Sequence, residues 1–182
     1  MEGGHVDTEN KKIALLVAVL AAFLAISEMG GKSSQTNALS SHIDASNLWT
    51  FFQAKTIRQT TMRTAAEALD AQYGDKASDT VKKQVDTWKK TAERYQSEPE
   101  TNEGRKELAA RAKKAEEKRD RSLASYHHYE VASAAVQIAI VLASAEVITS
   151  VIALGWASAA LGVAAVGFCL IGYFWPMAVH IF

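Results

Sequence analysis

The sequence predicts an all-α fold, an integral membrane protein with three transmembrane helices and an extramembrane, coiled-coil-like helical insert between the first and the second. Two apolar regions carry this prediction: an unbroken run at Ile13–Ile26, and a stretch at Val131–Val179 in which Glu146 is the one charged residue. Residues 28–130, which lie between them, hold all but two of the 20 Lys and Arg and all but four of the 20 Asp and Glu. No run of alternating β-branched residues bounded by turns predicts a strand.

The first predicted transmembrane helix covers residues 11–29 and follows an N-terminal tail of residues 1–10. About 20 apolar residues are needed to cross the bilayer core as a helix, and the apolar run reaches this length together with its flanks. The tail contains Glu2, Asp7 and Glu9, whereas a signal peptide begins with a basic region. We therefore expect a membrane anchor rather than a cleaved leader.

The C-terminal apolar stretch is long enough for two spans, which we predict at residues 131–153 and 157–179. The predicted turn between them is Leu154–Trp156, because its glycine relieves a tight turn and its tryptophan suits a membrane interface. Pro176 is expected to end or bend the last helix. A single re-entrant element is the alternative.

The insert, residues 30–130, is predicted to contain three helices separated by glycine and proline. The glycine pair at 30–31 predicts a flexible exit from the first span, and Gly74 is expected to stop the first helix of the insert. Pro99 separates the second helix from the third. From residue 105 to the predicted turn there is neither glycine nor proline, so the third helix should continue directly into the second span.

The second helix of the insert carries apolar residues at alternating spacings of four and three, which is the pattern of a coiled-coil seam. The narrow apolar faces and the abundance of alanine leave the insert without a large core of its own. We expect the seam to be an assembly surface between copies of the chain, and packing within one chain is the alternative. The seam residues are Val81, Val85, Trp88, Ala92 and Tyr95.

An aromatic and basic cluster lies in the first helix of the insert. Trp49 and Phe52 share one side of the predicted helix, and Lys55 and Arg58 follow one turn later. Such a cluster is typical of the core of a helical bundle, or of a membrane surface where the stems lie in lipid and the charges in water. We favour the bundle contact.

Glu146 is the one carboxylate within the predicted spans, where a charge near the helix centre costs roughly 2.5–3.5 kcal/mol. It is therefore expected to face a helix partner or water, or to be protonated. One interpretation is an ion or proton path through the membrane. The other is a polar contact near the turn, since Glu146 precedes the predicted turn by only about two helical turns.

Small residues recur at four-residue spacing in the two C-terminal spans, a pattern that lets helix backbones approach closely. We expect these residues at helix packing contacts, either within one chain or between chains. They are Ala135, Ala139, Ala143, Ser158 and Gly162.

No pattern in the sequence predicts catalysis, a cofactor or a metal site. Gly30–Ser33 resembles the tail of a phosphate-binding loop, but it lacks the first glycine and follows a predicted transmembrane helix instead of a strand. The adjacent His127 and His128 diverge by about 100° around a helix and predict an interface girdle, with a pH-sensitive or metal-binding collar across several chains as the alternative. The mixed, near-neutral charge of the insert argues against a nucleic-acid partner.

Three segments of the chain resemble a known family. They are Lys12–Leu20 (KIALLVAVL), Ala45–Thr60 (ASNLWTFFQAKTIRQT) and Tyr129–Thr149 (YEVASAAVQIAIVLASAEVIT). They are similar to the bacterial membrane-protein family catalogued as domain of unknown function 4337, and the most specific part is the stretch Trp49–Arg58. The resemblance implies a membrane location and three spans, and it implies no catalytic residue.

These features predict a non-enzymatic, homo-oligomeric structural or scaffolding assembly in the bacterial inner membrane. The alternatives are a channel or transport-like pore with Glu146 in the membrane path, and an accessory subunit of a larger membrane complex. The expected partners are the lipid bilayer, copies of the chain and, in the accessory role, other membrane proteins. Basic residues beside the spans place the insert in the cytoplasm.

Overall fold

The structure is a computed structural model that describes the backbone of residues 3–179 and the side chains of residues 11–179. Within these residues the chain forms four α-helices and no strand, which confirms the prediction of an all-α fold. The helices are α1 (Gly3–Tyr73), α2 (Asp79–Gln96), α3 (Arg105–Thr149) and α4 (Ile152–Phe174), and a 3-10 helix lies at Gly74–Lys76.

Three of the helices, α1, α3 and α4, are long and apolar enough to cross a membrane. Large apolar side chains point outward along them, for example Ile148, which is 84% exposed, and Val163, which is 74% exposed. In water such a surface would favour aggregation, whereas lipid tails are as apolar as the side chains themselves. The apolar helices are therefore suited to a lipid environment.

α1 runs without a break through Gly30 and Gly31, so the predicted flexible exit from the first apolar segment is wrong. A β-carbon added to Gly30 would lie 2.8 Å from Cε1 of Tyr129 on α3, and one added to Gly31 would lie 3.4 Å from Tyr129 Cβ. The glycine pair therefore allows the tyrosine to approach the α1 backbone. The helix continues through the pair despite the low helix propensity of glycine, because the propagation of a long helix is cooperative.

The turn between α3 and α4 lies at Ser150 and Val151, so the predicted turn at Leu154–Trp156 is wrong. Ser150 takes a left-handed conformation with φ of 56°, and its N–H donates to the carbonyl of Glu146 at 2.8 Å, which closes α3. Gly155 lies within the first turn of α4 and faces the Glu146 side chain. The glycine serves close packing, and a serine makes the turn.

The ends of the two C-terminal helices shift with this turn. α3 ends at Thr149 instead of residue 153, and α4 covers Ile152–Phe174 instead of residues 157–179. α4 stops two residues before Pro176, because proline disfavours a helical conformation in the residue before it and has no N–H to donate.

The described residues form two compact units. The first, here called the apolar unit, comprises the described residues of Met1–Leu39 and Arg119–Phe182, and the second, here called the charged unit, comprises Ser40–Lys118. The apolar unit has a small core in which side chains from α1, α3 and α4 meet. The buried members of this core are Leu20, Ala132, Val136, Ala139 and Ala165.

The charged unit is a small helical bundle in which α2 runs back along α1. Ser78 caps α2, since its hydroxyl accepts the N–H of Val81 at 3.4 Å. Most of the buried apolar residues are alanines, so the helix backbones approach closely and little apolar area is buried per residue. The buried apolar residues are Ala45, Ala66, Val85, Ala92, Leu108 and Ala112.

The connection between α2 and α3 is held by the carboxylate of Glu107. The Ser97 hydroxyl donates to Oε1 at 2.6 Å, and the Glu98 N–H donates to Oε2 at 3.1 Å. These bonds, and first of all the one from Ser97, lower the pKa of the Glu107 carboxyl below its ordinary value of 4.5. A negative charge in the first turn of α3 also interacts favourably with the helix dipole.

We expect the charged unit to lose stability at acid pH through Glu107. Because the pKa of Glu107 is lower in the folded chain than in the unfolded chain, its contribution is complete above the unfolded pKa and is lost as the pH falls through the folded value. Glu107→Gln keeps an acceptor oxygen but does not titrate. The melting temperature of this variant should therefore fall less steeply than that of the wild type below about pH 4.5.

Thermal melts of both proteins at matched pH values measure this difference, with Glu117→Gln at an exposed position of the same helix as the control. The control should follow the wild-type curve. If Glu107→Gln also follows the wild-type curve, the hydrogen bonds from Ser97 and Glu98 do not stabilise the ionised carboxylate.

Candidate functional site

The apolar unit contains a group of polar side chains that meet around Ser27. The Ser27 hydroxyl is buried and donates to the carbonyl of Tyr129 at 3.2 Å. It also lies 2.9 Å from Ser133 Oγ and accepts from Cys169 Sγ at 3.7 Å. Side chains and backbone from α1, α3 and α4 therefore share hydrogen bonds, which stabilise helix association where water is scarce.

A second set of contacts joins α3 to the end of α4. Ser125 Oγ donates to the carbonyl of Gly172 at 2.8 Å. His128 is 1% exposed and has Nε2 3.2 Å from the carbonyl of Pro176, and because a carbonyl only accepts, Nε2 carries the hydrogen. The imidazole stacks on Phe168 with centroids 6.4 Å apart, and its Nδ1 has no hydrogen-bond partner among the described residues.

The two adjacent histidines have different surroundings. His128 is buried against α4, whereas His127 is half-buried with Nδ1 3.5 Å from Oε2 of Glu130. Among the side chains of residues 11–179, no three His, Cys, Asp or Glu groups come together in a way that could hold a metal ion. His128 therefore contacts another helix of its own chain, and His127 lies nearer the surface.

A groove of about 460 Å³ runs between α1 and α3 in the apolar unit, and we call it the interhelical groove. It is lined by both signs of charge, with Glu28 and Lys32 from α1 and Glu130 from α3. Tyr126 donates its hydroxyl hydrogen to Glu130 Oε1 at 3.4 Å. Toward the apolar part of α3 the lining includes Gln137, whose side chain is exposed. No local pattern in the sequence indicates this groove, because residues of two helices form it.

Glu146 lies in the last turn of α3, beside the connection to α4. A β-carbon added to Gly155 would lie 2.7 Å from Glu146 Oε1. The same side chain lines a shallow pocket of about 300 Å³ together with Lys12, Leu16 and Trp156. This position favours the interpretation of Glu146 as a polar contact near the turn over that of a group midway along a membrane path.

The small residues predicted at helix contacts lie between helices of the same chain. Ala139, Ala143, Ser158 and Gly162 are buried, and Ala135 is half-buried. The Ser158 hydroxyl donates to the carbonyl of Ala139 at 2.7 Å, which joins α4 to α3. A β-carbon added to Gly162 would lie 2.9 Å from Cδ2 of Leu20, so the glycine admits this α1 side chain.

Two members of the aromatic and basic cluster pack inside the charged unit. Trp49 Nε1 donates to Oε1 of Glu116 on α3 at 2.8 Å. Its indole meets the ring of Phe52 edge-on, with centroids 5.4 Å apart, and the guanidinium of Arg105 lies 5.0 Å from the Phe52 centroid. Both aromatic residues of α1 therefore contact α3 within the charged unit.

Lys55, the third member of the cluster, is buried, with 6% of its surface exposed. Its ammonium lies 3.4 Å from Oε2 of Glu98 and 5.2 Å from the ring centroid of Tyr95. The ion pair and the aromatic face compensate the loss of hydration. Arg58, the fourth member, is exposed, so the structure brings three of the four cluster residues into the bundle.

The predicted seam on α2 packs within the chain. Val85 and Ala92 are buried, and Val81, Trp88 and Tyr95 are half-buried. The Gln59 side chain of α1 donates from Nε2 to the carbonyl of Ala92 at 3.1 Å, which places the seam against α1. The seam residues therefore form the α1–α2 contact, the alternative that the sequence left open.

A different surface of the charged unit remains uncovered along α1. Seven exposed residues follow each other at spacings of three and four, and none of them is charged, although charged residues are frequent elsewhere in this unit. We call this surface the uncharged face of α1. It consists of Ile43, Ser46, Thr50, Gln53, Ile57, Thr60 and Thr64.

Part of the hydrogen-bonding capacity of the uncharged face is satisfied within α1 itself. Thr50 Oγ1 donates to the carbonyl of Ser46 at 2.9 Å, and the neighbouring Thr61 Oγ1 donates to the carbonyl of Ile57 at 2.9 Å. The Thr50 hydroxyl is therefore satisfied within its own helix, and its methyl group adds apolar surface to the face. Ile57 is 67% exposed at the centre of the face. The spacing of three and four residues is visible in the sequence. Because most of the positions are serine, threonine or glutamine, it does not read as an apolar pattern.

One comparison with known proteins gives a match. A family model described as Domain of unknown function (DUF4337) matches residues 9–175, which include α2, α3, α4 and most of α1. No curated protein and no solved structure gives a significant match to the chain. The family match confirms the resemblance predicted from the three sequence segments.

Proposed function

The chain belongs to the family of the domain of unknown function DUF4337, and we propose that it is a non-enzymatic membrane scaffold that assembles with copies of itself through the uncharged face of α1. In this proposal, α1, α3 and α4 span the bacterial inner membrane and the charged unit lies in the cytoplasm. The lipid bilayer and a second copy of the chain are its partners. The observation that carries the proposal is the exposed face without charge on an otherwise charged bundle.

The symmetry of a membrane protein favours this face as a contact. Copies inserted in the same direction are related by an axis along the membrane normal, so their α1 helices meet in parallel. In a parallel two-fold contact each residue lies opposite its own copy, and a charged residue would therefore face a like charge, which is destabilising. From Ile43 to Thr64 the exposed residues at heptad spacing avoid this repulsion.

The shape of the face supports the same contact. A shallow depression of about 620 Å³ surrounds Ile57, and its walls are threonine and alanine side chains of α1 itself. Small and β-branched side chains allow two helices to approach closely. The exposed Ile57 of one copy can pack into the depression beside Ile57 of the other.

The packing of the apolar unit favours a scaffold rather than a pore within one chain. Leu20, Val136 and Ala165 fill the space between α1, α3 and α4. The polar groups around Ser27 are engaged in hydrogen bonds between helices. Glu146 lies at the turn instead of within this core.

Cysteine cross-linking in native membranes tests the proposed assembly. In a Cys169→Ser background, Ile57→Cys should give a disulfide-linked dimer under mild oxidation, because residue 57 lies next to its own copy. Lys83→Cys, at an exposed position of α2, is the control and should remain monomeric. Equal cross-linking at both positions, or none at residue 57, contradicts the proposal.

A charge placed on the face should separate the copies. Thr50→Lys puts like charges opposite each other, and we expect mass photometry in mild detergent to report monomers where the wild type gives dimers. Thr80→Lys makes the same substitution at an exposed position of α2 and should leave the dimer intact. A monomeric wild type, or a dimer that Thr50→Lys leaves unchanged, rules out this contact.

A further inference from the structure

We propose that the interhelical groove binds one phospholipid with a zwitterionic headgroup that carries a primary ammonium group. The inference concerns a site in the apolar unit that takes no part in the proposed dimer contact, and it rests on the membrane location given above. The groove is lined by Glu28, Lys32, Tyr126, Glu130, Ser133 and Gln137, among other residues of α1 and α3.

The groove extends across the depth at which a bilayer changes from hydrocarbon to headgroups. From Gln137 to Tyr126 it follows α3 for about 16 Å at 1.5 Å per residue, whereas the headgroup layer of one leaflet is only about 5–8 Å thick. Its Gln137 end belongs to the apolar stretch of α3, and its other end has the charged side chains. A molecule that fills it therefore needs both an apolar and a charged part, as a phospholipid has.

The charges of the groove match a zwitterion. Glu28 and Lys32 are one helical turn apart on α1, yet their side chains enter no ion pair or hydrogen bond with each other or with any other described residue. Both are exposed at the groove. The lysine ammonium can bind a phosphate, and the two carboxylates of Glu28 and Glu130 can bind an ammonium group.

The acidic side of the groove selects among headgroups. Glu130 accepts a hydrogen bond from Tyr126 through Oε1, and its Oε2 lies 3.5 Å from His127 Nδ1. A primary ammonium group has three N–H donors for such carboxylates, whereas a choline group has none. An anionic glycerol headgroup offers the same phosphate to Lys32, but it has no ammonium group for the two carboxylates.

The polar residues nearer the apolar end have a role in the same site. Gln137 is exposed where the surrounding side chains of α3 are apolar, and an unpaired amide in hydrocarbon is costly. The ester carbonyls of a phospholipid lie just below the phosphate and can accept the amide N–H. The small Ala134 between Gln137 and Glu130 leaves room for the glycerol backbone.

Native mass spectrometry tests the site with three lipids of identical acyl chains. The protein is released from nanodiscs that contain phosphatidylethanolamine, phosphatidylcholine and phosphatidylglycerol in equal amounts. We expect one phosphatidylethanolamine to be retained per chain in preference to the other two. Retention in proportion to abundance, or preference for phosphatidylglycerol, overturns the proposal.

Variants connect the retained lipid to the groove. Lys32→Gln combined with Glu130→Gln should lower the retention of phosphatidylethanolamine by roughly a hundredfold, because two charge-assisted hydrogen bonds are lost. The single variant Lys32→Arg keeps the positive charge and the native Glu130. It should therefore retain more phosphatidylethanolamine than the double variant does. Lys114→Gln, at an exposed position of the charged unit, is the control and should retain the lipid as the wild type does.

Two further measurements separate this site from the rest of the molecule. Gln137→Leu fits an apolar environment and should fold, yet it should lower lipid retention by removing the amide. Membrane extraction and cross-linking at residue 57 are recorded for every variant, so a failure of the membrane location or of the dimer is distinguished from a failure of the lipid site. Unchanged lipid retention in both Gln137→Leu and the double variant overturns the proposal.

Discussion

Gly104→Ala is expected to destabilise the charged unit by about 3 kcal/mol, the largest effect among the substitutions considered. Gly104 is buried at the start of α3, and a β-carbon there would lie 2.7 Å from Cα of Ser97 and in still closer conflict with the backbone nitrogen of Glu98. Backbone atoms do not rotate away as a side-chain end does. The added methyl group would also displace the Glu107 carboxylate that holds the connection.

The effect is measured by thermal unfolding in detergent together with hydrogen exchange of peptides from residues 92–112. We expect the melting temperature to fall by about 10 °C and exchange to increase in these peptides first. Gly74→Ala is the matched control: its β-carbon meets nothing within 4 Å, but its φ is +47°, so it should cost only about 1 kcal/mol. Equal effects at the two glycines would show that overlap at Gly104 is not the cause.

Gly172→Ala is expected to destabilise the apolar unit by about 2 kcal/mol. A β-carbon at this position of α4 would lie 2.8 Å from Cβ of His128 and 3.3 Å from the carbonyl oxygen of Ser125. A Cβ position is fixed by the backbone, so α3 and α4 would have to move apart. That movement would also weaken the hydrogen bonds that Ser125 makes to Gly172 and His128 makes to Pro176.

Gly167→Ala is the matched control in the same helix, because nothing lies within 4 Å of its added β-carbon. The control should be neutral or slightly stabilising, since alanine has the higher helix propensity. Thermal unfolding in detergent, with hydrogen exchange of peptides from residues 158–179, compares the two variants. Indistinguishable melting temperatures would mean that α4 does not pack on α3 through Gly172.

The sequence predicted the continuity of α3 from the insert into the apolar stretch, because that prediction depended on local chemistry alone. No glycine or proline lies between Arg105 and Thr149, so nothing interrupts the i to i−4 hydrogen bonds over this range. The stop of α1 before Gly74 is of the same kind, since a residue with φ of +47° ends a helix. Such features need no partner elsewhere in the chain.

The prediction failed at Gly30, Gly31 and Gly155, where glycine serves a tertiary contact. Read alone, each glycine indicates flexibility or a turn. In the structure the first two face the side chain of Tyr129, and the third faces the side chain of Glu146. These neighbours belong to another helix, so no local pattern identifies them.

The candidate sites divide in the same way. The periodicity of α2 identified Val85 and Ala92 as one face, but the burial of that face against α1 depends on Gln59 and Lys55, which lie far away in sequence. The uncharged face of α1 and the interhelical groove were missed. The first is formed by serine and threonine instead of large apolar residues, and the second needs α1 and α3 side by side.

The sequence by itself determined that this protein is all-helical, where its apolar segments lie and that α3 is continuous, because backbone hydrogen bonding and hydropathy act over a few neighbouring residues. Only the tertiary structure decided which helix faces are covered, which glycines receive a side chain and where Glu146 and Lys55 lie. A helix pattern states which residues share a face, but the surface that covers the face comes from residues distant in sequence, and only their packing brings the two together.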